Sequence, residues 1–298
     1  MNDRYRLLAP LGAGGQGTVW QVADQFQAGR IKVLKAPRAQ ADPEDVERLR
    51  WEFLRLARLD HARLLRVFDL DVVETGGGVL EPGQVFFTAE HAPGAPPAEL
   101  VARFGKRRRV ELLWRIATDV ASALDHIHGR GLLHGDVKPD NLRCTAEGDV
   151  KLLDLGLSTV IGALGDGQVA GTLAHLAPEA LAGCPDVRSD LYGLGSTLFT
   201  LAAGRPPRVS EDTDGVAAQI RQLLEQEPPP LAEAASSLPA GLCRLVDRLL
   251  CRDPEDRPRS ARALIEEIAR RRRTVSLALA DTGGGLPLLA TGVVGRTD

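Results

Sequence analysis

The chain has 298 residues, 44 % hydrophobic and 26 % charged, which is enough to bury a sizeable core and ordinary for a soluble globular protein. Lys plus Arg (37) against Asp plus Glu (40) gives a formal charge of −3, which argues against a nucleic-acid-binding polycation. The longest uncharged run near the end, 282–295, is broken by glycines and too short to span a bilayer. Four cysteines (Cys144, Cys184, Cys243, Cys251) show no Cys-x-x-Cys spacing and no histidine at zinc spacing. With no apolar signal core at Met1–Tyr5, reduced thiols in the cytoplasm are expected.

In chain order, Gly12-Ala13-Gly14-Gly15-Gln16-Gly17 comes first, between Leu11 and Thr18-Val19-Trp20. Glycines let backbone amides approach phosphates closely, although a plain flexible hairpin uses the same residues. A dinucleotide fold needs a helix after the last glycine. Thr18–Val22 reads as a strand, which shifts the pattern toward a phosphate-covering hairpin. Ile31–Lys35 alternates as a strand with Ile31, Val33 and Lys35 on one face. Asp42-Pro43-Glu44-Asp45 then opens a helix, with a capping residue, a first-turn proline and acids at the positive dipole end. Leu49, Phe53, Leu56 and Leu59 continue it, and Val72–Val73 and Val85–Thr88 read as a strand pair.

Beyond Pro93-Gly94-Ala95-Pro96-Pro97 the pattern turns helical. Val110, Leu113, Ile116, Val120, Leu124 and Ile127 mark one long amphipathic helix, and Leu191–Ala203 is apolar nearly all round and reads as buried. Leu242, Leu245, Val246 and Leu249 mark another helix, and Leu264, Ile265 and Ile268 the last. Between the first two lie short strand-like runs at Leu142–Cys144 and Val150–Leu153. The basic runs Lys106–Arg109 and Arg270–Arg273 read as solvated faces or helix ends. The expected organisation is a small sheet-rich lobe over 1–92, a helical lobe over 93–273 and a flexible, glycine-rich tail over 274–298.

The densest chemistry lies in Leu133-His134-Gly135-Asp136-Val137-Lys138-Pro139-Asp140-Asn141, followed thirteen residues after Asn141 by Asp154-Leu155-Gly156. Two carboxylates and an amide suit a reaction in which a hydroxyl is oriented while a divalent cation neutralises a polyphosphate. Three further segments stand downstream in order: Gly171–Glu179, ending in Ala-Pro-Glu; Ser189–Gly195; and Asp253–Pro258. With these motifs the sequence resembles the protein kinase family over about residues 5–270.

The resemblance implies an α+β, two-lobed kinase fold whose N-lobe is an antiparallel sheet plus one helix and whose C-lobe is mainly helical. It implies a serine/threonine kinase using ATP with Mg²⁺ (or Mn²⁺) on protein substrates bearing Ser or Thr. Asp136 would orient the substrate hydroxyl and accept its proton, and Lys138 would approach the transferring phosphoryl group. Asn141 and Asp154 would hold the metal, and Thr172 would support the Asp136–Lys138 pair. Gly12, Gly14, Gly17, Val19 and Val33 would enclose the nucleotide, with backbone groups of Glu90 and Ala92 reading adenine beside a small gatekeeper, Ala89. The ATP-anchoring lysine is Lys35 in the register that puts Val33 over adenine, with Lys32 the alternative. Its helix partner is Glu52, with Glu47 the alternative. Asp190 and a Glu179–Arg257 pair would be structural.

Several positions depart from the family pattern. Gly135 replaces the usual arginine, so activation independent of phosphorylation at Ser158 or Thr159 is expected. Leu155 stands for Phe, His175 for Tyr, and Arg143 for the aliphatic floor of the adenine site. Two other readings stay open: a small-molecule phosphotransferase of kinase-like fold, and an ATP-binding scaffold without turnover.

Overall fold

In a computed structural model, the structure describes residues 2–14, 17–38, 40–74, 79–155, 173–208, 220–221 and 224–281. The N-terminal region is a five-stranded antiparallel sheet in the order β1-β2-β3-β5-β4. Its strands are β1 (Tyr5–Gly14), β2 (Gly17–Asp24), β3 (Arg30–Ala36), β4 (Val67–Val72) and β5 (Val85–Glu90). Helix α1 (Pro43–Leu56) connects β3 to β4. It begins where the sequence suggests, with Asp42 at the N-cap position, Pro43 in the first turn and Glu44 and Asp45 at the positive end of the dipole, but the Asp42 side chain makes no capping hydrogen bond.

Strand β5 is buried on both faces, so its residues alternate between two cores rather than between core and solvent. Leu49 of α1 packs with Leu65 and with Val85, Phe87 and Ala89 of β5. Phe86, one residue out of phase, joins Tyr5, Val22, Leu34, Ala36, Val73 and Leu80 on the opposite face. This parity separates Lys32 from Lys35, which are three residues apart on β3 and therefore face opposite sides.

The C-terminal region is mostly helical. Its elements are α2 (Pro97–Arg103), α3 (Lys106–His128), a hairpin of β6 (Leu142–Cys144) and β7 (Val150–Leu152), α4 (Pro178–Leu181), α5 (Val187–Ala203), α6 (Leu231–Ala234), α7 (Ala240–Leu249) and α8 (Ala261–Asp281). Helix α5 lies within one apolar core with α3, α7 and α8, as its nearly unbroken run of apolar residues predicts. An Asp186–Ser189 capping box starts α5, and Gly204 in the left-handed conformation ends it. Arg109, from one of the two basic runs, donates to the carbonyls of Leu201 and Ala202 at that C-terminus, so it is a helix-end partner.

The last helix differs from expectation. It continues through Thr274 to Asp281, so helical backbone replaces the aperiodic segment expected over 274–281. Val275-Ser276-Leu277-Ala278-Leu279-Ala280 contains no glycine or proline to stop it, and the first glycine is Gly283. The rest of the expected tail, 282–298, lies outside the described residues.

Helix α4 is anchored by a buried ion pair. Arg257, whose side chain is fully buried, donates to both carboxylate oxygens of Glu179 at 2.7 and 3.0 Å. It also donates to the carbonyls of Cys251, Arg188 and Arg252. Every polar atom of the guanidinium is thus engaged, so removing the carboxylate leaves a buried cation without its charge partner. Glu179→Ala is expected to cost about 3–5 kcal/mol in urea or thermal unfolding; a loss below about 1 kcal/mol would place the pair among inert surface bridges.

Candidate active site

The loop 133–141 is seated on α5. The Asp190 carboxylate, 3 % exposed, accepts the backbone N–H groups of His134 and Gly135 at 2.8 Å each and meets His128 Nε2 at 2.8 Å. Burial alone would raise its pKa, yet these donors hold it below the usual carboxylate range. Gly135 sits at φ +76°, a left-handed backbone that favours glycine over the arginine common at this position.

His134 links this loop to the next motif. Its Nε2 donates to Leu153 O at 2.9 Å, and its Nδ1 accepts from Asp136 N at 3.2 Å, so a single neutral tautomer serves both bonds. Leu153 N in turn donates to Asn141 O at 2.8 Å. The residue before Asp154 is therefore tied to the loop twice.

Within the loop, a 3₁₀ turn over Pro139–Asn141 swings Asn141 back toward Asp136. Asn141 Nδ2 donates to Asp136 O at 2.8 Å and to Asp136 Oδ2 at 2.9 Å. Lys138 Nζ lies 2.8 Å from the same Oδ2. Oδ2 is thus held by an amide and an ammonium, while Oδ1 has no hydrogen-bond partner among the described residues. Asn141 keeps its side-chain oxygen as an acceptor, because its amide nitrogen makes both bonds.

On the sheet side, Lys35 Nζ lies 2.7 Å from Glu52 Oε1 and 3.6 Å from Asp154 Oδ1. Burial drives the Glu52 carboxyl up to about 7, against the opposing pull of Lys35, while Asp154 and Glu52 hold the Lys35 ammonium above its usual value. Lys32 stands elsewhere: its Nζ is 2.8 Å from Asp24 and 3.6 Å from Asp69, in an ionic cluster on the far face of the sheet with Arg4 and Tyr5. Glu47 is an exposed partner of Arg50 at 2.8 Å. Of the two candidates at each position, Lys35 and Glu52 are the pair that reaches Asp154.

The glycine hairpin pairs Gly14 with Gly17, Gly12 with Val19, and Val19 in turn with Lys35. Gly17 is constrained: its φ is +118°, and a Cβ there would lie 2.2 Å from Ala36 O. Gly12 is not, since a Cβ there would meet no described residue within 4 Å. Val33 pairs with Ala89, which is 1 % exposed. The Glu90 N–H donates to Arg66 O, while its carboxylate takes Arg66 N–H and the Lys151 ammonium. No described residue engages either backbone polar group of Ala92.

Lys151 escaped the sequence reading, although a lone lysine between Val150 and Leu152 in a strand marks the face turned from the core. On that same face Arg143 pairs across from Lys151 and donates to Asp140 O at 3.2 Å and Leu142 O at 2.9 Å. Cys144 is buried, its thiol pushed up to about 12 by desolvation, and all four cysteines are free. Asp154 adopts φ +35°, a left-handed conformation that aspartate tolerates better than most residues. Gly156, Ser158, Thr159 and Thr172 lie outside the described residues.

Asn141 offers an amide oxygen and Asp154 a partly exposed carboxylate, both hard oxygen donors. Such a pair suits Mg²⁺, which takes one or two protein oxygens and completes its shell with phosphate and water. No described helix is long and apolar enough to cross a membrane.

A protein kinase domain model matches residues 5–268. The serine/threonine-protein kinase pkn3 of Myxococcus xanthus is 32 % identical over 280 residues, covering 89 % of this chain and 49 % of its own length. PknB of Mycobacterium tuberculosis is 31 % identical over 282 residues (91 % and 43 %), and PknA over 278 residues is also 31 % identical (90 % and 61 %). The chain thus spans about half the length of the curated relatives it matches. With the family model covering both the five-stranded sheet and the helical region that carries Asp136, Asn141 and Asp154, this chain belongs to the protein kinase family.

Proposed function

We propose that the chain is the catalytic domain of an ATP-dependent protein serine/threonine kinase, with residues 1–92 and 93–273 as its two lobes. The observation that carries this reading is the convergence of Lys35–Glu52 from the sheet and Asp136–Lys138–Asn141 from the loop, with Asp154 between them. The reaction is in-line displacement: the oxygen of a Ser or Thr side chain bonds to the γ-phosphorus of ATP, the bond to the β–γ bridging oxygen breaks, and ADP leaves. Asp136 Oδ1 orients the hydroxyl and receives its proton. Asn141 and Lys138 fix that carboxylate, and Lys138 adds positive charge beside the transferring group. Lys35, steadied by Glu52, offers an ammonium to the phosphates, and the glycine hairpin covers them. Asn141 and Asp154 would hold Mg²⁺, which supplies charge neutralisation for the polyphosphate. Catalysis then rests on positioning and fixed charge.

Lys138 supports Ser/Thr hydroxyls as acceptors, as do the printed names of the relatives. Four free cysteines support a reducing, cytoplasmic setting for the domain.

Transfer of labelled γ-phosphate from Mg-ATP to a basic protein substrate tests the proposal, with an aminoglycoside in parallel. Asp136→Asn is expected to lower transfer about 10²- to 10⁴-fold with an unchanged melting temperature. Label on the aminoglycoside alone would make the chain a small-molecule phosphotransferase, and ATP binding without label on either acceptor would make it a scaffold. The Lys35–Glu52 pair adds a pH signature. Burial raises the Glu52 carboxyl well above the usual range, so on acidification it takes a proton and loses the ion pair earlier than an ordinary carboxylate, and kcat/KM should fall from pH 8 to pH 6. Glu52→Gln should lower kcat/KM and remove that limb of the profile. An unchanged profile in Glu52→Gln would mean that this carboxyl does not set the pH dependence.

A further inference from the structure

Helix α5 carries more than Asp190. Residues 190, 193 and 197 lie one above another on the same face, and Ser196 adjoins them. A Cβ on Gly193 would lie 3.0 Å from Val137 O and 3.1 Å from Val137 Cβ, so the missing side chain lets the loop rest against the helix. One turn on, Thr197 Oγ1 donates to that same Val137 carbonyl at 3.2 Å. Val137 stands between Asp136 and Lys138, so this bond fixes the backbone that carries both.

Ser196 faces the other segment. Its hydroxyl donates to Ala174 O at 3.1 Å and lies 2.9 Å from His175 Nδ1. One hydroxyl proton cannot serve both contacts; the arrangement closes when Ser196 donates to the carbonyl and His175 donates from Nδ1. Desolvation, with Lys138 adding to it, pushes the imidazole down to about 4, so it is neutral at pH 7 and donates from one nitrogen only. Ala174 and His175 belong to the segment that runs into Pro178 and Glu179. Both hydroxyl residues are completely buried, in a helix otherwise nearly all apolar there. Packing alone would be served by Ala and Val, without the desolvation of two hydroxyls.

We propose that Thr197 and Ser196 are separate positioning residues for phosphoryl transfer: Thr197 sets the loop bearing Asp136 and Lys138, and Ser196, through Ala174 and His175, sets the segment running into Ala-Pro-Glu, which the kinase resemblance implies is the platform for the peptide. The inference rests on the proposed kinase activity and assigns neighbouring hydroxyls on one helical turn to different steps. Thr197 acts on the chemical step and Ser196 on substrate binding.

The test is steady-state kinetics of the full chain with a Ser/Thr peptide and Mg-ATP, together with thermal melts. Thr197→Val is expected to lower kcat about fivefold to tenfold with peptide KM unchanged, and Ser196→Ala to raise peptide KM by a similar factor with kcat and ATP KM unchanged. Thr197→Ser keeps the hydroxyl but deletes a buried methyl, so it should melt earlier yet retain wild-type kcat. A kcat loss in Thr197→Ser equal to that in Thr197→Val would overturn the role of the hydrogen bond. If the Val and Ala variants change kcat and peptide KM together, or change neither, the division between the two hydroxyls is wrong while the kinase assignment stands. No transfer by the wild-type chain would overturn the assignment itself and the inference with it.

Discussion

One carboxylate with no role at the reacting atoms governs the geometry of this site. Asp190 is buried in α5, where an isolated charge would be prohibitively costly, and its stability there comes from donors supplied by the loop it organises. Two backbone N–H groups, from His134 and Gly135, converge on its two oxygens, and His128 of α3 closes the set. The dependence is mutual: without the loop the carboxylate is an unsatisfied buried anion, and without the carboxylate the loop has two orphaned amides. Asp136 follows immediately, and its own N–H is held by His134. A helix at the centre of the apolar core thereby fixes a polar loop, as a site preorganised for charge stabilisation requires.

The sheet side works by opposite means. Lys35 and Glu52 are side chains on different elements, joined by one ion pair whose burial penalises both charges. Such a pair adds little net stability, but it specifies where a long, flexible lysine places its ammonium, and Asp154 at 3.6 Å connects it to the loop side. Asp154 thus stands between an apparatus held by backbone hydrogen bonds and one held by a buried ion pair. The two halves should respond differently to pH, since Asp190 is held below the usual carboxylate range and Glu52 is raised toward neutrality.

The parts of this site legible in the sequence are those whose chemistry is contiguous or fixed by parity. Asp136, Lys138 and Asn141 lie within six residues, so their types and spacing suffice. Strand parity separates Lys32 from Lys35, although the partners that distinguish them, Asp24 and Glu52, come from other elements. Short helices such as α2, α4 and α6 carry too few turns for a period to show, and α8 runs past its expected end because nothing local stops it. Ser196 and Thr197 were illegible for a different reason. Within an apolar run a buried hydroxyl looks like a tolerated small residue, and only the tertiary position of Val137 and His175 gives it a partner. The Glu90–Lys151 contact is similar, joining strands separated by most of the first helical segment.

The central claim is that Asp190 holds the loop 133–141 in place, and amide hydrogen exchange of Asp190→Asn tests it most directly. The substitution keeps the size of the side chain and removes one of the two acceptor oxygens. Faster exchange confined to His134, Gly135 and their neighbours, with the protection of β1–β5 and of α3 unchanged, is the result predicted. Unchanged protection of His134 and Gly135 would contradict the account, because the loop would then be held by its remaining contacts and Asp190 would be an ordinary buried carboxylate.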